Sequence, residues 1–382
     1  SEENNRFYPD RYVLGTCPNC KNEKARGDQC ENCGSQIEPD ELINPYSARD
    51  GAKITLKETT HWFFPLGKLQ EWLQPWVESH PEWKENVRNY CRGWFETGLG
   101  NRAVTRDLSW GVPVPLPDHE GKVLYVWFDA PIGYISATRE WAQDQGDAEL
   151  WRTWWQDEST RLVHFIGKDN IVFHAILFPA MLHAHSEDYV IVDNVPANEF
   201  LNLEGGKLST SKGYAVWLPD YLEKFSPDSL RYCLARNLPE TRDTNFTWDD
   251  FQARHNNELA DALGNFINRA LTFTEKYFES KVPPRGDLLD GDQAALEGIL
   301  AAASKIEAQM RAFEIRGAAE TLFLLTKEAN RYFDEAEPWA TRKTDMARCG
   351  TSLYVCCQYV RAFAGLWAMF LPHSMQTLWE SL

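Results

Sequence analysis

Apolar residues follow two different rhythms along the chain. Leu66, Leu69, Leu73 and Trp76 recur at helical spacing, and the stretch from Trp83 to Trp94 continues it. Val123–Asp129 is instead a continuous apolar run, the pattern of a strand buried on both faces, and it ends at Ala130-Pro131-Ile132-Gly133-Tyr134. Leu162–Gly167 repeats the arrangement before Lys168-Asp169-Asn170, and Tyr189–Val192 supplies a third run. Helical patterns follow the first two runs, so a parallel α/β sheet is expected. Ligands gather at the carboxyl ends of such strands, where Trp127, Tyr134, Lys168, Asp169 and His174 fall.

Beyond about Asn256 nearly everything reads as helix. Leu259, Leu263, Phe266, Ala270 and Phe273 share one face, and further helices are expected near 294–313, 315–334 and 346–371, with a break at Pro338. Ser226-Pro227-Asp228-Ser229 is a helix-start signal. The near-continuous apolar run Leu353–Leu371 is interrupted by Gln358 and Arg361, which fits a buried helix and no membrane span. At the junction lies Gly205–Gly213, where glycines bracket Lys207, Ser209, Thr210, Ser211 and Lys212. Mobile cations, hydroxyls and close backbone approach suit a polyphosphate. By itself the loop fits a solvated surface turn as well.

Composition narrows the field. A chain of 382 residues with 43% hydrophobic and 13% aromatic residues can build two to four real cores. The net charge of −17 excludes blanket nucleic-acid binding, so any RNA contact must be local. The start shows no charged-then-apolar signal segment. Cys17-Pro-Asn-Cys20 and Cys30-Glu-Asn-Cys33 are two CxxC turns that can close four thiolates around one zinc ion, with Asp28 and Gly34 suited to the tight turns. Four cysteine ligands leave no open position, so the ion is structural. Such a cluster points to a reducing, cytoplasmic setting.

Three further groups stand out. Aromatic walls with Tyr134 and His174 aiming donors at a weak acceptor suit an amino acid with an apolar, polarizable side chain, although a histidine after a strand is often structural. The Arg106-Asp107 doublet reads by default as a surface ion pair. Asn265, Arg269 and Trp339 are not demanded by packing and can stack on unpaired bases; a solvated face explains them equally well.

Taken in order, these pieces resemble methionyl-tRNA synthetase, a class I aminoacyl-tRNA synthetase, over essentially the whole chain. The matching pieces are Pro9-Asp10-Arg11-Tyr12 before the knuckle, Thr105-Arg106-Asp107 before Trp110-Gly111, Tyr125-Val126-Trp127 with Asp129–Tyr134, Phe165–Asp169 ending at His174, Lys207-Leu208-Ser209-Thr210-Ser211, and Glu337-Pro338-Trp339. The resemblance implies a methionine pocket of Trp127, Ala130, Pro131, Tyr134, Phe173 and His174. It implies Lys168, Asp169 and Arg106 as catalytic-site residues, and Lys207, Ser209, Thr210, Ser211 and Lys212 as the ATP loop. Asn265, Arg269, Pro338 and Trp339 match the surface that reads the CAU anticodon. Partners would be ATP with Mg²⁺, L-methionine and tRNA(Met).

Four regions follow from the resemblance: 1–103 as a connective region with the zinc knuckle at 17–33, and 104–196 as the second half of a Rossmann-like parallel α/β catalytic domain. Residues 197–256 form a loop and stem-contact module, and 257–382 a helical anticodon-binding bundle. Three departures accompany it. No His-x-Gly-His motif occurs, so the chain is expected to be a C-terminal portion without full catalytic activity. Thr210 stands where the family usually has a second lysine, and Arg102 where some members have a pocket tryptophan. The competing reading is a non-catalytic, synthetase-derived RNA-binding module. A synthetase for leucine, isoleucine or valine is disfavoured, because no long editing insertion separates the knuckle from the second half of the sheet.

Overall fold

The computed structural model describes the chain except residues 2, 4–6, 9, 28, 29, 31, 34, 36, 38, 39, 109, 186, 211 and 212 and the side chain of Arg11. Pro9, Asp28, Gly34, Ser109, Ser211 and Lys212, singled out above, thus lie outside the described residues. The chain divides into two compact units: Ser1–His164 with Asp169–Val195, and Phe165–Lys168 with Pro196–Leu382.

The first unit opens with an antiparallel sheet ordered β2-β1-β3, from β1 (Val13–Thr16), β2 (Ala25–Arg26) and β3 (Ile43–Ser47). Its core is small: Val13, Cys17, Ala25, Cys30, Ile37 and Leu42. Next, β4 (Phe63–Phe64) precedes α1 (Gln70–Glu78) and α2 (Glu85–Thr97), which bury Leu73, Val77, Val87, Cys91 and Phe95 at helical spacing; of the expected stripe, Leu66 and Leu69 lie in a 3₁₀ turn before α1, and Trp76 is only half-buried. β5 (Arg102–Ala103) returns to pair with β4, and β6 (Thr105–Asp107) pairs antiparallel with β7 (Lys122–Leu124).

The apolar run Val123–Asp129 is therefore not one strand. β7 ends at Leu124, whose partner Thr105 is the last rung of the ladder, and Val126–Asp129 turns into helix α3. A short apolar run cannot by itself distinguish strand from buried helix, and here the ladder partner runs out first. Then come α4 (Ile132–Asp144), α5 (Arg152–Trp155) and α6 (Phe178–Ala184). Before α6 the helix widens into a π-turn over Val172–Leu177. Pro179 explains the widening, because its ring collides with the carbonyl four residues back and it offers no N–H.

Parallel pairing is sparse. Tyr189–Val192 forms no strand; its Val190 N–H donates to the Trp155 carbonyl, and pairing falls further along, where Asn194 bridges Val163 in parallel.

In the second unit β8 (Ile166–Gly167) pairs in parallel with β9 (Ala197–Asn198). A three-stranded sheet is ordered β11-β10-β12, with β10 (Leu201–Leu203), β11 (Gly206–Lys207) and β12 (Thr244–Phe246). Between β11 and β12 run α7 (Leu218–Leu222) and α8 (Pro227–Arg236). Ser226 caps α8 by accepting from the Asp228 N–H at 3.2 Å, as its helix-start signal requires. α9 (Trp248–Ala253) continues as a π-helix (Arg254–Gly264) into α10 (Asn265–Phe278). The rest is α11 (Asp290–Arg311), α12 (Ile315–Ala336), α13 (Pro338–Thr344), α14 (Met346–Leu366) and α15 (Pro372–Ser381).

The bundle buries Phe266, Ile306, Leu322, Phe333, Phe363 and Trp367 in one core, to which α8 adds Tyr232. α14 is buried on nearly every side, as its largely apolar sequence demands. Among the described residues no helix is long and apolar enough to cross a membrane.

Candidate active site and metal centre

The four CxxC thiols come together first. Their sulfurs lie within 4.8 Å of one another, with Cys17 Sγ 3.9 Å from Cys33 Sγ and Cys20 Sγ 3.6 Å from Cys30 Sγ. A tetrahedral ion with bonds of about 2.3 Å to sulfur sets ligand sulfurs about 3.8 Å apart, so the donor set fits zinc. Asn32 Nδ2 donates to Cys20 Sγ and Asn22 Nδ2 to Cys30 Sγ. The Asn32 bond leads in holding the Cys20 thiol below its ordinary pKa, the form a cation requires. All nine cysteines are free of disulfides.

In the first unit, α3, α4 and the π-turn converge. Trp127 stacks on Phe173 at 5.2 Å, with their planes 25° apart. The Tyr134 hydroxyl lies 2.8 Å from His174 Nε2, and His174 Nδ1 lies 2.9 Å from the Asn170 carbonyl. Burial lowers the His174 pKa. Pro131 is buried at the start of α4, while Ala130 is exposed beside it. His164, absent from the expected pocket, packs 5.1 Å from Tyr134 and 4.9 Å from His174. Its register beside Asn194 is a tertiary fact with no local sequence signal.

A cavity of about 500 Å³ extends from Trp127 and Phe173 past Arg106 and Asp10 to Thr59 and His61. The Arg106-Asp107 doublet is not an ion pair with itself. Arg106 Nη2 bonds Asp10 at 3.0 Å, its Nη1 donates to the carbonyls of Ala103 and Thr105, and its guanidinium lies 3.9 Å from the Tyr125 ring. Asp107 accepts from Lys122 and Thr59 and faces His61 Nε2 at 3.4 Å. Burial opposes ionisation of Asp107, but the bonds from Lys122 and Thr59 outweigh it and hold its pKa below the usual range. Arg102 lies 5.3 Å from the Trp94 ring. Asp169 is exposed.

In the second unit the two lysines share a neighbour. Lys168 Nζ bonds Glu199 at 2.6 Å and Asp243 at 3.0 Å, and sits 4.3 Å from the Phe200 ring centre. Burial works against its charge, but the two carboxylates outweigh it and raise its pKa. Lys207 Nζ lies 5.5 Å from the same ring. Glu199, Phe200 and Asp243 escaped sequence reasoning because nothing local marks them as lysine partners.

The lysine loop grows from a two-residue turn. Glu204 and Gly205 both have positive φ, 47° and 79°, which suits a tight hairpin between β10 and β11. A Cβ on Gly206 would lie 2.9 Å from the Tyr214 ring, so glycine is needed there. Ser209 and Tyr214 exchange both backbone hydrogen bonds at 2.9 Å, and Gly213 N–H donates to the Thr210 carbonyl. The loop is thus pinned at its base.

On the bundle, Asn265 and Arg269 stand one helical turn apart on α10. Arg269 bonds Asp334 at 3.0 Å and Asn330 at 3.3 Å, with its guanidinium 4.3 Å from the Phe333 ring. Trp339 rests 6.0 Å from that ring and is 40% exposed, while Pro338 is buried. Phe333 therefore joins Arg269 to Trp339.

A family model for class I (M) tRNA synthetases matches residues 1–271, and one for the anticodon binding domain of methionyl tRNA ligase matches residues 282–382. The methionine–tRNA ligase of Bacteroides fragilis is 52% identical over 384 residues, covering 100% of this chain and 56% of that protein. That of Salinibacter ruber is 51% identical, covering 98% and 54%. This chain thus spans just over half the length of these relatives. A Mycobacterium tuberculosis methionyl-tRNA synthetase structure bound by methionyl-adenylate superposes with a TM-score of 0.76 at 30% identity, covering 88% of this chain and 66% of that one. A second, in complex with the same adenylate, gives 0.78 at 29%, covering 91% and 68%.

Proposed function

The chain belongs to the class I methionine–tRNA ligase family, and from that premise we propose that it carries the methionine pocket, the phosphate-facing lysines and the anticodon surface of such a ligase. The observation that carries this reading is the Tyr134–His174 pair beside the stacked Trp127 and Phe173. Aromatic walls with few polar groups suit an apolar, polarizable side chain.

In the reaction, a methionine carboxylate oxygen bonds to the α-phosphorus of ATP, and the bond to pyrophosphate breaks. The acyl group then passes from the adenylate to a ribose hydroxyl of tRNA(Met), releasing AMP. No covalent enzyme nucleophile is required. The residues act by positioning and by opposing charge. Lys207 and Lys168 hold positive charge on the phosphate side, and Asp169 and Arg106 border the reacting groups. Ser209, Thr210 and, by sequence, Ser211 and Lys212 complete the loop. Mg²⁺ travels with ATP as charge neutraliser, and the Cys17–Cys33 knuckle holds one structural zinc. Asn265, Arg269, Pro338 and Trp339 form the CAU-reading surface. The setting is cytoplasmic, where tRNA is charged.

Two measurements on the protein carrying this chain test the reading: L-methionine-dependent ATP–pyrophosphate exchange, and binding of a CAU stem-loop. Exchange together with binding supports a ligase. Stem-loop binding with no affinity for methionine would leave an RNA-binding module, and absence of both would overturn the proposal.

A further inference from the structure

The Tyr134–His174 pair is one hydrogen-bond donor short of what a thioether needs. The Asn170 carbonyl can only accept, so His174 Nδ1, 2.9 Å away, carries that ring's proton. Nε2 of the neutral ring is then a bare lone pair, and the Tyr134 hydroxyl at 2.8 Å donates to it. With its one proton committed, Tyr134 offers a ligand only lone pairs. A thioether sulfur is itself a weak acceptor and gains nothing from them. If Tyr134 turns its proton to sulfur, a buried lone pair on His174 is stranded, and that loss cancels a weak new bond.

His164 holds the missing donor. The residue is 6% exposed, and its ring packs 5.1 Å from Tyr134 and 4.9 Å from His174, with the two imidazole planes 63° apart. Phe178 closes another side at 6.1 Å. The backbone N–H of His164 is fixed on the Asn194 carbonyl at 3.0 Å, so the main chain cannot drift. Its Nε2 is buried with no hydrogen-bond partner among the described residues. A polar nitrogen buried without a protein partner is unfavourable, and is open to one that comes within reach. Burial, aided by the His174 ring, holds its pKa down to about 4, so at neutral pH it bears one proton.

We infer that His164 is a specificity-determining residue of this pocket: its ring N–H takes over the lone pair of His174 Nε2 when Tyr134 donates to a ligand thioether. Every proton stays on its own atom. The Tyr134 O–H moves from nitrogen to sulfur, and the His164 N–H moves from no partner to His174. The inference rests on the reading of this pocket as a methionine site and adds how sulfur is told from methylene. Norleucine fills the same space but offers no acceptor, so it gains nothing from the exchange.

The test titrates L-methionine and L-norleucine calorimetrically into the full chain, its His164→Phe variant and its His164→Gln variant. The phenylalanine variant is expected to weaken methionine binding by about tenfold, the loss of one hydrogen bond, while norleucine binding stays within about twofold. Glutamine, which keeps a donor, is expected to recover part of the preference. Ring ¹⁵N spectra of the unmodified protein should show the His164 and His174 Nε2 signals moving with methionine and not with norleucine. An unchanged methionine preference in His164→Phe, or an equal loss for both ligands, overturns the inference and leaves the pocket reading intact. Silent ¹⁵N signals on methionine binding overturn it even if the variants fail to fold. If the unmodified protein binds neither amino acid, the pocket reading itself falls, and the inference with it.

Discussion

Arg106 and Asp107, neighbours in the chain, turn to opposite sides of β6: one to Asp10 and the Tyr125 ring, the other to Lys122. Alternation along a strand enforces this separation. The consequence is that each charge has its own partner, and the two can be altered independently. Arg106→Gln should lower methionine-dependent exchange in a ligase carrying this chain while changing melting little. Asp107→Asn should do the reverse. Exchange assays beside thermal melts of both variants decide it.

Phe200 is expected to tune both lysines. Replacing it by leucine keeps bulk but removes the ring that faces Lys168 and Lys207. At about 0.5–1 kcal/mol for an exposed cation–ring contact, ATP should bind about twofold to fivefold more weakly per affected lysine. Equilibrium binding of ATP to the two proteins checks this, and unaltered affinity would remove the ring from the phosphate side.

Trp339→Ala should weaken binding of a CAU stem-loop by about 1–3 kcal/mol, as lost base stacking does. Phe333→Leu removes the ring beneath both Arg269 and Trp339 and should weaken the same complex. Fluorescence titration with CAU and scrambled stem-loops separates a loss of reading from a loss of charge attraction.

Acid should loosen the helical bundle through Asp292. This carboxylate is 2% exposed, accepts from both Arg348 nitrogens and the Tyr332 hydroxyl, and has a lowered pKa because those bonds outweigh its burial. A carboxylate with a depressed folded pKa stabilises above its unfolded pKa of about 4, and that stability is lost as pH falls through the folded value. Asp292→Asn should therefore cost about 3 kcal/mol at neutral pH, because Arg348 loses its counter-charge. It should also flatten the fall in melting temperature below about pH 4. Melting curves across the acid range give both results.

The parts of the fold legible in sequence are those written locally. The CxxC spacing brings Cys17, Cys20, Cys30 and Cys33 together, Ser226-Pro227 starts α8, and the apolar faces of α10 to α14 stand at helical spacing. What was not legible depends on partners far along the chain. Leu124 ends its strand because Thr105 is the last rung of the ladder, and Lys168 is held by Glu199 and Asp243. The π-turn under His174 follows from Pro179, whose effect shows only once a helix runs ahead of it.

Among the described residues, two of the six buried beneath the first sheet are Cys17 and Cys30. The other four described ones, Val13, Ala25, Ile37 and Leu42, make a small apolar core, and small cores lean on staples such as a bound metal. On the proposal that the knuckle holds zinc, maturation of the protein is tied to metal supply: under zinc starvation newly made chains should keep a folded bundle while the first sheet becomes open to protease. Metal analysis of the purified protein should find close to one zinc per chain, and limited proteolysis before and after chelation should place the new cuts around residues 13–47. A metal-free protein that resists cleavage there would break the link between nutrition and folding.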